Sequence, residues 1–165
     1  SSDLQSHLGM HEQAWKNRME AAEVRKKLGR TLLEDFCEAG EAEILFQAGR
    51  IDEALAKAQK VATASKAAGL FLSYVVAERV WARALAASGA PLDEVEAHFN
   101  AGLAFSEQTD QQSSAAQIHL FWGRILRERG QAAAAQEHFD KAVAIFENGG
   151  SDKGLSWIRD MVSAS

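Results

Sequence analysis

The sequence predicts an all-α protein in which antiparallel helical hairpins repeat about every 40 residues. Gly9, Gly49, Gly89 and Gly130 recur after 40, 40 and 41 residues, and a second series of breaks lies midway between them: Gly29, Gly69, Thr109-Asp110 and Gly149-Gly150. Alanine, the best helix former, is abundant, and proline occurs once, at Pro91. No strand-like alternation of β-branched residues is present over a useful length. Since glycine readily adopts the left-handed conformation that ends a helix, each segment of roughly 20 residues is predicted to be one helix and one turn.

Positions at a fixed distance before the first-series glycines support the same repeat. The stretches "WARALAASG" (81–89) and "WGRILRERG" (122–130) share their tryptophan, arginine, leucine and glycine. Seven residues before the glycine stand the small residues Ala42, Ala82 and Gly123, and four before it stand Leu45, Leu85 and Leu126. Small residues allow two helix axes to approach closely, and large residues fill the space beside them. One helical hairpin is therefore predicted to be repeated.

The positions of the four tryptophans in the repeat indicate their roles. Trp81 and Trp122 hold equivalent positions beside the small residues, which favours a role in filling the gap between helices over an exposed binding pair. Trp15 and Trp157 lie in the terminal helices, where partial burial is expected.

The predicted helices are, in order, 11–28, 31–48, 51–68, 71–88, 92–107, 112–129, 131–147 and 154–163. We expect one repeat domain over residues 1–165, with a partial first repeat at 1–28, full repeats at about 31–68, 71–107 and 112–147, and a capping helix at 154–163. Leu155, Ile158 and Val162 form an apolar stripe on that last helix. Because no comparable cap precedes Gly9, we expect the chain to be a fragment of a longer protein.

These residues resemble the tetratricopeptide repeat. The best match is "HLFWGRILRERGQAAAAQEHFDKAVAIF" (119–146), where the small, apolar and aromatic positions fall in register at Gly123, Leu126, Gly130, Ala135, Phe139 and Ala142. The period departs from the usual length of about 34 residues. It is similar to the longer repeats of bacterial LuxR-type ATP-dependent regulators and of signalling proteins that join a cyclase or kinase to an ATPase. The resemblance implies a right-handed superhelical array, a solenoid; HEAT-type repeats are the structural alternative.

Composition excludes several classes of function. The formal net charge of -5 and the pI near 5.5 argue against a nucleic-acid or anionic-membrane binder. The most apolar stretch, 70–90, carries Glu78, Arg79 and Arg83, so no membrane span is expected, and no signal peptide is recognised. Cys37 is the only cysteine, which favours a reducing, cytoplasmic location, and we expect it to be at least half-buried.

No motif in the chain predicts catalysis, a cofactor or a metal. Phosphate loops, paired catalytic carboxylates and Ser/His/Asp arrangements are missing from the sequence. His7 and His11 have metal-ligand spacing, but Gly9 lies between them at a predicted turn and no third ligand is near. We therefore expect a protein that is not an enzyme.

The most informative polar residues are arginines in the first helices of the hairpins. In proteins that this chain resembles, these helices line a concave groove. The positions that would face it are Phe36, Glu43, Phe46 and Gln47 in the first full unit, Val76, Arg79, Val80 and Arg83 in the second, and Gln117, Leu120, Phe121, Arg124 and Arg127 in the third. Arg79 and Arg83 share a face, and Arg124 repeats the position of Arg83. Arginines beside aromatic residues would suit an acidic peptide, unless they pair internally with Glu43, Glu78 or Glu128.

The predicted function is a protein-interaction or scaffold module of a bacterial regulatory or signalling protein. It would bind a peptide or partner domain, acidic ones included, in the concave groove lined by arginines. Two alternatives remain open. The exposed face of helix 11–28 could stack on a second copy, which would make the chain a homo-oligomerisation module. The combination of arginines with Phe121 could instead sense a small molecule.

Overall fold

The computed structural model describes the backbone of residues 2–108, 112–149 and 152–163, and their side chains except at positions 2–8, 25, 28–33, 35, 108 and 152. The described residues contain no strand and form seven α-helices, which confirms the all-α prediction. These are α1 (Ser2–Gln47), α2 (Ile51–Ala68), α3 (Phe71–Ala87), α4 (Leu92–Gln108), α5 (Gln112–Glu128), α6 (Ala132–Asn148) and α7 (Asp152–Ser163). No helix of the described part is long and apolar enough to cross a membrane.

The chain divides into two units, residues 1–36 and 37–165. The first unit is the N-terminal part of α1, and it exposes the large apolar side chains Met10, Trp15, Met19 and Val24. Trp15 is 65% exposed, so its expected partial burial is wrong. The second unit contains the rest of α1, all other helices and the apolar core.

Helix α1 differs from the prediction because it runs without a break through Gly9 and Gly29. The sequence predicts a turn at each of these glycines and separate helices at 11–28 and 31–48. A glycine inside a helix costs only about 1 kcal/mol relative to alanine, and the flanking residues, Lys26 and Lys27 among them, are good helix formers. The predicted break at Thr109-Asp110 lies outside the described residues, as does Gly150.

The turns predicted at the other glycines are present. Gly49, Gly69, Gly89 and Gly130 have φ angles of 79°, 72°, 82° and 79°, in the left-handed region where glycine carries no Cβ penalty. In each case the residue that follows the glycine donates its N–H to a carbonyl five positions earlier, at distances of 2.9–3.0 Å, with the acceptors at Leu45, Ser65, Leu85 and Leu126. This is the hydrogen bond that closes a helix C-terminus around a left-handed glycine. Short connections of this kind join antiparallel neighbours.

The small-residue positions lie where two helices of a hairpin meet. Ala42 and Ala82 are fully buried, and Gly123 of α5 lies directly beneath the ring of Phe139 in α6. A Cβ at position 123 would come within 2.6 Å of Phe139 Cε1. The largest core cluster joins α3 to α7 around Phe99, and Ile158 of α7 is fully buried in it. Of the predicted stripe, Ile158 is buried and Val162 packs against this cluster, while Leu155 is half-buried.

A polar contact joins the two helices of each hairpin, and its member on the second helix occupies one repeat position: Lys57, His98 or His138. Between α1 and α2, Lys57 lies 3.0 Å from a carboxylate oxygen of Glu41 and 3.9 Å from one of Glu38. In the hairpin of α3 and α4, His98 Nδ1 forms a 2.6 Å hydrogen bond with a carboxylate oxygen of Glu78. In the hairpin of α5 and α6, the Nδ1 atoms of His119 and His138 lie 3.0 Å apart. His98 and His138 also stack on the equivalent rings of Trp81 and Trp122. The two tryptophans therefore pack between helices, as predicted.

Candidate interaction surface

Seven of the predicted groove positions come together on one surface, called here the arginine face. It takes residues from three helices of the second unit: Glu43 and Phe46 of α1, Arg79 and Arg83 of α3, and Gln117, Phe121 and Arg124 of α5. Within each helix these residues are three, four or seven positions apart and so share one side. Helix α3 packs against α5 and, through Val80 and Ala42, against α1. The first helices of the three hairpins are thus neighbours.

Arg79 is the buried structural centre of the arginine face. Only 4% of the residue is exposed. Its Nη1 donates to the side-chain oxygen of Gln117, and its Nη2 donates to Glu43 Oε1 at 3.2 Å. Burial lowers the pKa of Arg79, and the neighbouring Glu43 carboxylate partly offsets that effect. Arg79 therefore joins α1, α3 and α5, and internal pairing leaves little of it for a partner.

Arg83 lies between two aromatic rings. Its guanidinium carbon is 3.8 Å from the ring centre of Phe121 and 4.4 Å from that of Phe46, within the range of cation–π attraction. Its nearest carboxylate is Glu43, whose Oε1 lies 3.7 Å from Nη1, too far for a hydrogen bond. Burial lowers the pKa of Arg83 to about 10, and the positive charges of Arg79 and Arg124 add to the decrease while Glu43 opposes it.

Arg124 borders a cavity of about 180 Å³ beside Arg83. Among the described residues it has no ion-pair partner. Arg129, which the sequence analysis did not identify, also lines this cavity. Its Nη2 donates to the backbone oxygens of Ala86 and Ala90 at 3.2 and 2.9 Å. Those acceptors lie at the end of α3, so only tertiary structure reveals the position of Arg129.

Other predicted groove residues lie elsewhere. Leu120 and Val80 are fully buried in the core and line no surface. Arg127 turns towards the C-terminal helices, where it donates to the backbone oxygen of Val162 at 2.9 Å and lies over the ring of Phe139. The reason is rotational: one position turns a side chain by about 100° round the helix, so Val80 and Leu120 point away from Arg79 and Phe121. Arg127 lies six positions after Phe121, about 120° round the helix.

The three remaining predicted positions border the arginine face or lie away from it. Val76 is half-buried, Gln47 is exposed at the end of α1, and Phe36 is exposed in the first unit. Cys37 is also exposed, which contradicts its expected burial.

His119 and His138 form a second polar cluster, in which the pKa values of both side chains are lowered. Burial lowers the pKa of His119 to about 4, and His138 and Lys141 contribute to the decrease. Burial and Lys141 also lower the pKa of His138, against the opposing effect of Glu137. One neutral ring therefore donates to the other. No group of three or more His, Cys, Asp or Glu that could hold a metal occurs in the described part of the chain; the His7 side chain lies outside it.

No family model, curated protein or solved structure matches this chain.

Proposed function

We propose that this chain is a non-enzymatic interaction module of the tetratricopeptide type, and that it binds a peptide or a partner domain along the arginine face. In this proposal the first helices of the hairpins form the wall of a concave groove. The module would serve as a scaffold in a cytoplasmic regulatory or signalling protein, with no requirement for nucleic acid, membrane or cofactor.

The observation that supports the proposal most directly is the placement of Arg83 and Arg124. Arginine and aromatic side chains from three helices meet on one surface, and such residues are enriched where proteins bind one another. The protein as a whole is acidic, so a local excess of guanidinium groups is not a consequence of composition.

The test is site-specific cross-linking in extract of the source cells. A photoreactive amino acid at Gln47, beside the arginine face, is compared with one at Lys60, an exposed position on α2. We expect a discrete cross-linked partner from Gln47 alone, and its loss when Arg83→Glu and Arg124→Glu are combined. The same partner captured equally by both probes, or retained by the double variant, would contradict the proposal.

A second candidate function is self-association through the first unit. The exposed side chains of Met10, Trp15, Met19 and Val24 support it, because large apolar residues grouped on a helix often mark an interface. Sedimentation equilibrium of the chain tests it: an oligomer that Trp15→Glu converts to a monomer supports self-association. If the chain is a monomer at about 1 mM, self-association with a Kd below about 1 mM is excluded.

A further inference from the structure

The cavity beside Arg83 has the size and lining of a receptor for one side chain. Its volume is about 180 Å³, and it is lined by Phe46, Arg83, Ala86, Ala87, Phe121, Arg124, Ile125, Glu128 and Arg129. The apolar part of the lining can contact methylene groups, while the arginines can contact a charged end. An acidic side chain fits a space of this volume and lining.

Charges around the cavity do not balance. The guanidinium groups of Arg79, Arg83, Arg124 and Arg129 face two carboxylates, Glu43 and Glu128. Arg79 donates through its two terminal nitrogens to Glu43 and Gln117, although its buried Nε has no acceptor among the described residues, and Arg129 donates to backbone oxygens. Arg79 is thus the one guanidinium of the four with a hydrogen-bonded carboxylate among the described residues, and Arg83 and Arg124 have no hydrogen bond to a carboxylate or to a backbone oxygen there.

Glu43 cannot satisfy both arginines of α3 equally. Its Oε1 accepts a hydrogen bond from Arg79 at 3.2 Å and lies 3.7 Å from Arg83 Nη1. That Nη1 atom is buried, and it has no hydrogen-bond acceptor within the described part of the chain. A buried donor without an acceptor is unfavourable, and a carboxylate in the adjacent cavity would offset the charge of the Arg83 guanidinium.

We infer that the cavity anchors a single carboxylate of the partner, an Asp or Glu side chain, between Arg83 and Arg124, and that Glu43 competes with this carboxylate for Arg83. The inference rests on the proposed function and names the group that the arginine face recognises. Two neighbouring carboxylates disfavour a doubly charged phosphate, since like charges repel. Glu43 thus weakens the site while it holds Arg79 in place.

The test uses two blocked peptides, acetyl-Ala-Leu-Glu-Leu-Ala-amide and the same peptide with glutamine at its centre. Binding to the full chain is followed by NMR through the side-chain Nε–Hε signals of Arg83 and Arg124. We expect both signals to shift with the glutamate peptide, which should bind at least about tenfold more tightly than the glutamine peptide. Inorganic phosphate, added alone, should bind more weakly than the glutamate peptide.

Three variants separate recognition from folding. Arg124→Gln should lose at least about tenfold in affinity, and Glu43→Gln should gain about threefold or more, because a competing negative charge is removed. Arg159→Gln, an exposed arginine of α7, is the matched control and should bind as the unmodified chain does. Far-ultraviolet circular dichroism verifies that each variant is folded.

Several results would overturn the carboxylate site. These are no shift of either arginine signal at about 10 mM peptide, equal binding of the two peptides, tighter binding of phosphate, or weaker binding after Glu43→Gln with the fold intact. A partner cross-linked at Gln47 whose capture survives replacement of all its acidic residues would overturn the carboxylate site as well. That result would leave the interaction function in place.

Discussion

Replacing Gly123 by alanine tests the close approach of α5 and α6. The new Cβ would lie 2.6 and 2.8 Å from two carbons of the Phe139 ring and 3.1 Å from the backbone oxygen of Ala135. Contacts below 3.0 Å require one of the two groups to move. The Phe139 ring is buried, and the Ala135 oxygen is part of the α6 backbone, so neither can move easily. Overpacking of this kind costs about 1–3 kcal/mol, against a gain of up to about 1 kcal/mol from the better helix propensity of alanine.

We therefore expect Gly123→Ala to lower the free energy of unfolding by about 1–2 kcal/mol and Tm by about 5 °C. Gly40→Ala is the matched control, because Gly40 also lies in a helix of the second unit but a Cβ there meets no atom within 4 Å. That variant should be neutral or up to about 1 kcal/mol more stable. Urea unfolding followed by circular dichroism measures both.

The two residues should also be coupled energetically. Phe139→Leu removes the ring atoms that the new methyl group would meet, so it should cost less in the Gly123→Ala background than alone, by about 1 kcal/mol. If Gly123→Ala were as stable as Gly40→Ala, or if the double variant showed no coupling, the helix separation described for α5 and α6 would be wrong.

Three further outcomes are expected. Burial lowers the pKa of His119 from 6.5 to about 4, so the unfolded chain takes up a proton first as the pH falls. The free energy of unfolding should therefore decrease by up to about 3 kcal/mol between pH 6.5 and 4. Urea unfolding at several pH values measures this dependence, which His119→Gln should weaken. Arg79→Leu should destabilise the fold by about 2 kcal/mol in thermal unfolding, since it leaves Glu43 and Gln117 without their shared donor; an unchanged Tm would contradict the central role of Arg79. Gly130→Ala should cost about 1–2 kcal/mol in urea unfolding because its φ of 79° strains any residue with a Cβ, and an equally stable variant would show that the turn readily changes conformation.

The helix ends predicted from the sequence agree with the structure wherever the signal is local. The left-handed conformations of Gly49 and Gly130 and the closing hydrogen bonds around them depend on one residue type at the end of an apolar pattern. Gly9 and Gly29 are the same residue type, yet α1 continues through both. A glycine permits a turn without requiring one, and its cost inside a helix is small enough for helix-forming neighbours to continue the helix through it.

Helical spacing also made part of the arginine face predictable from the sequence. Helical spacing correctly places Arg79, Arg83 and Arg124 on one side, since their separations follow the repeat. It does not show that Arg79 is buried and paired or that Arg127 turns away. Nor does it reveal that Arg129 reaches the end of α3, because the acceptors Ala86 and Ala90 belong to another hairpin.

The polar contact between the two helices of each hairpin involves other residues than the arginine face does. Lys57, His98 and His138 occupy one position with chemically different partners, while the surrounding hairpin keeps its geometry. In α3, Glu78 points to α4, whereas Arg79 and Arg83 contact the first helices on either side. Substitutions at this contact can therefore adjust the stability of each hairpin without altering the residues of the arginine face. Evolution, or an engineer, can change one property while the other stays fixed.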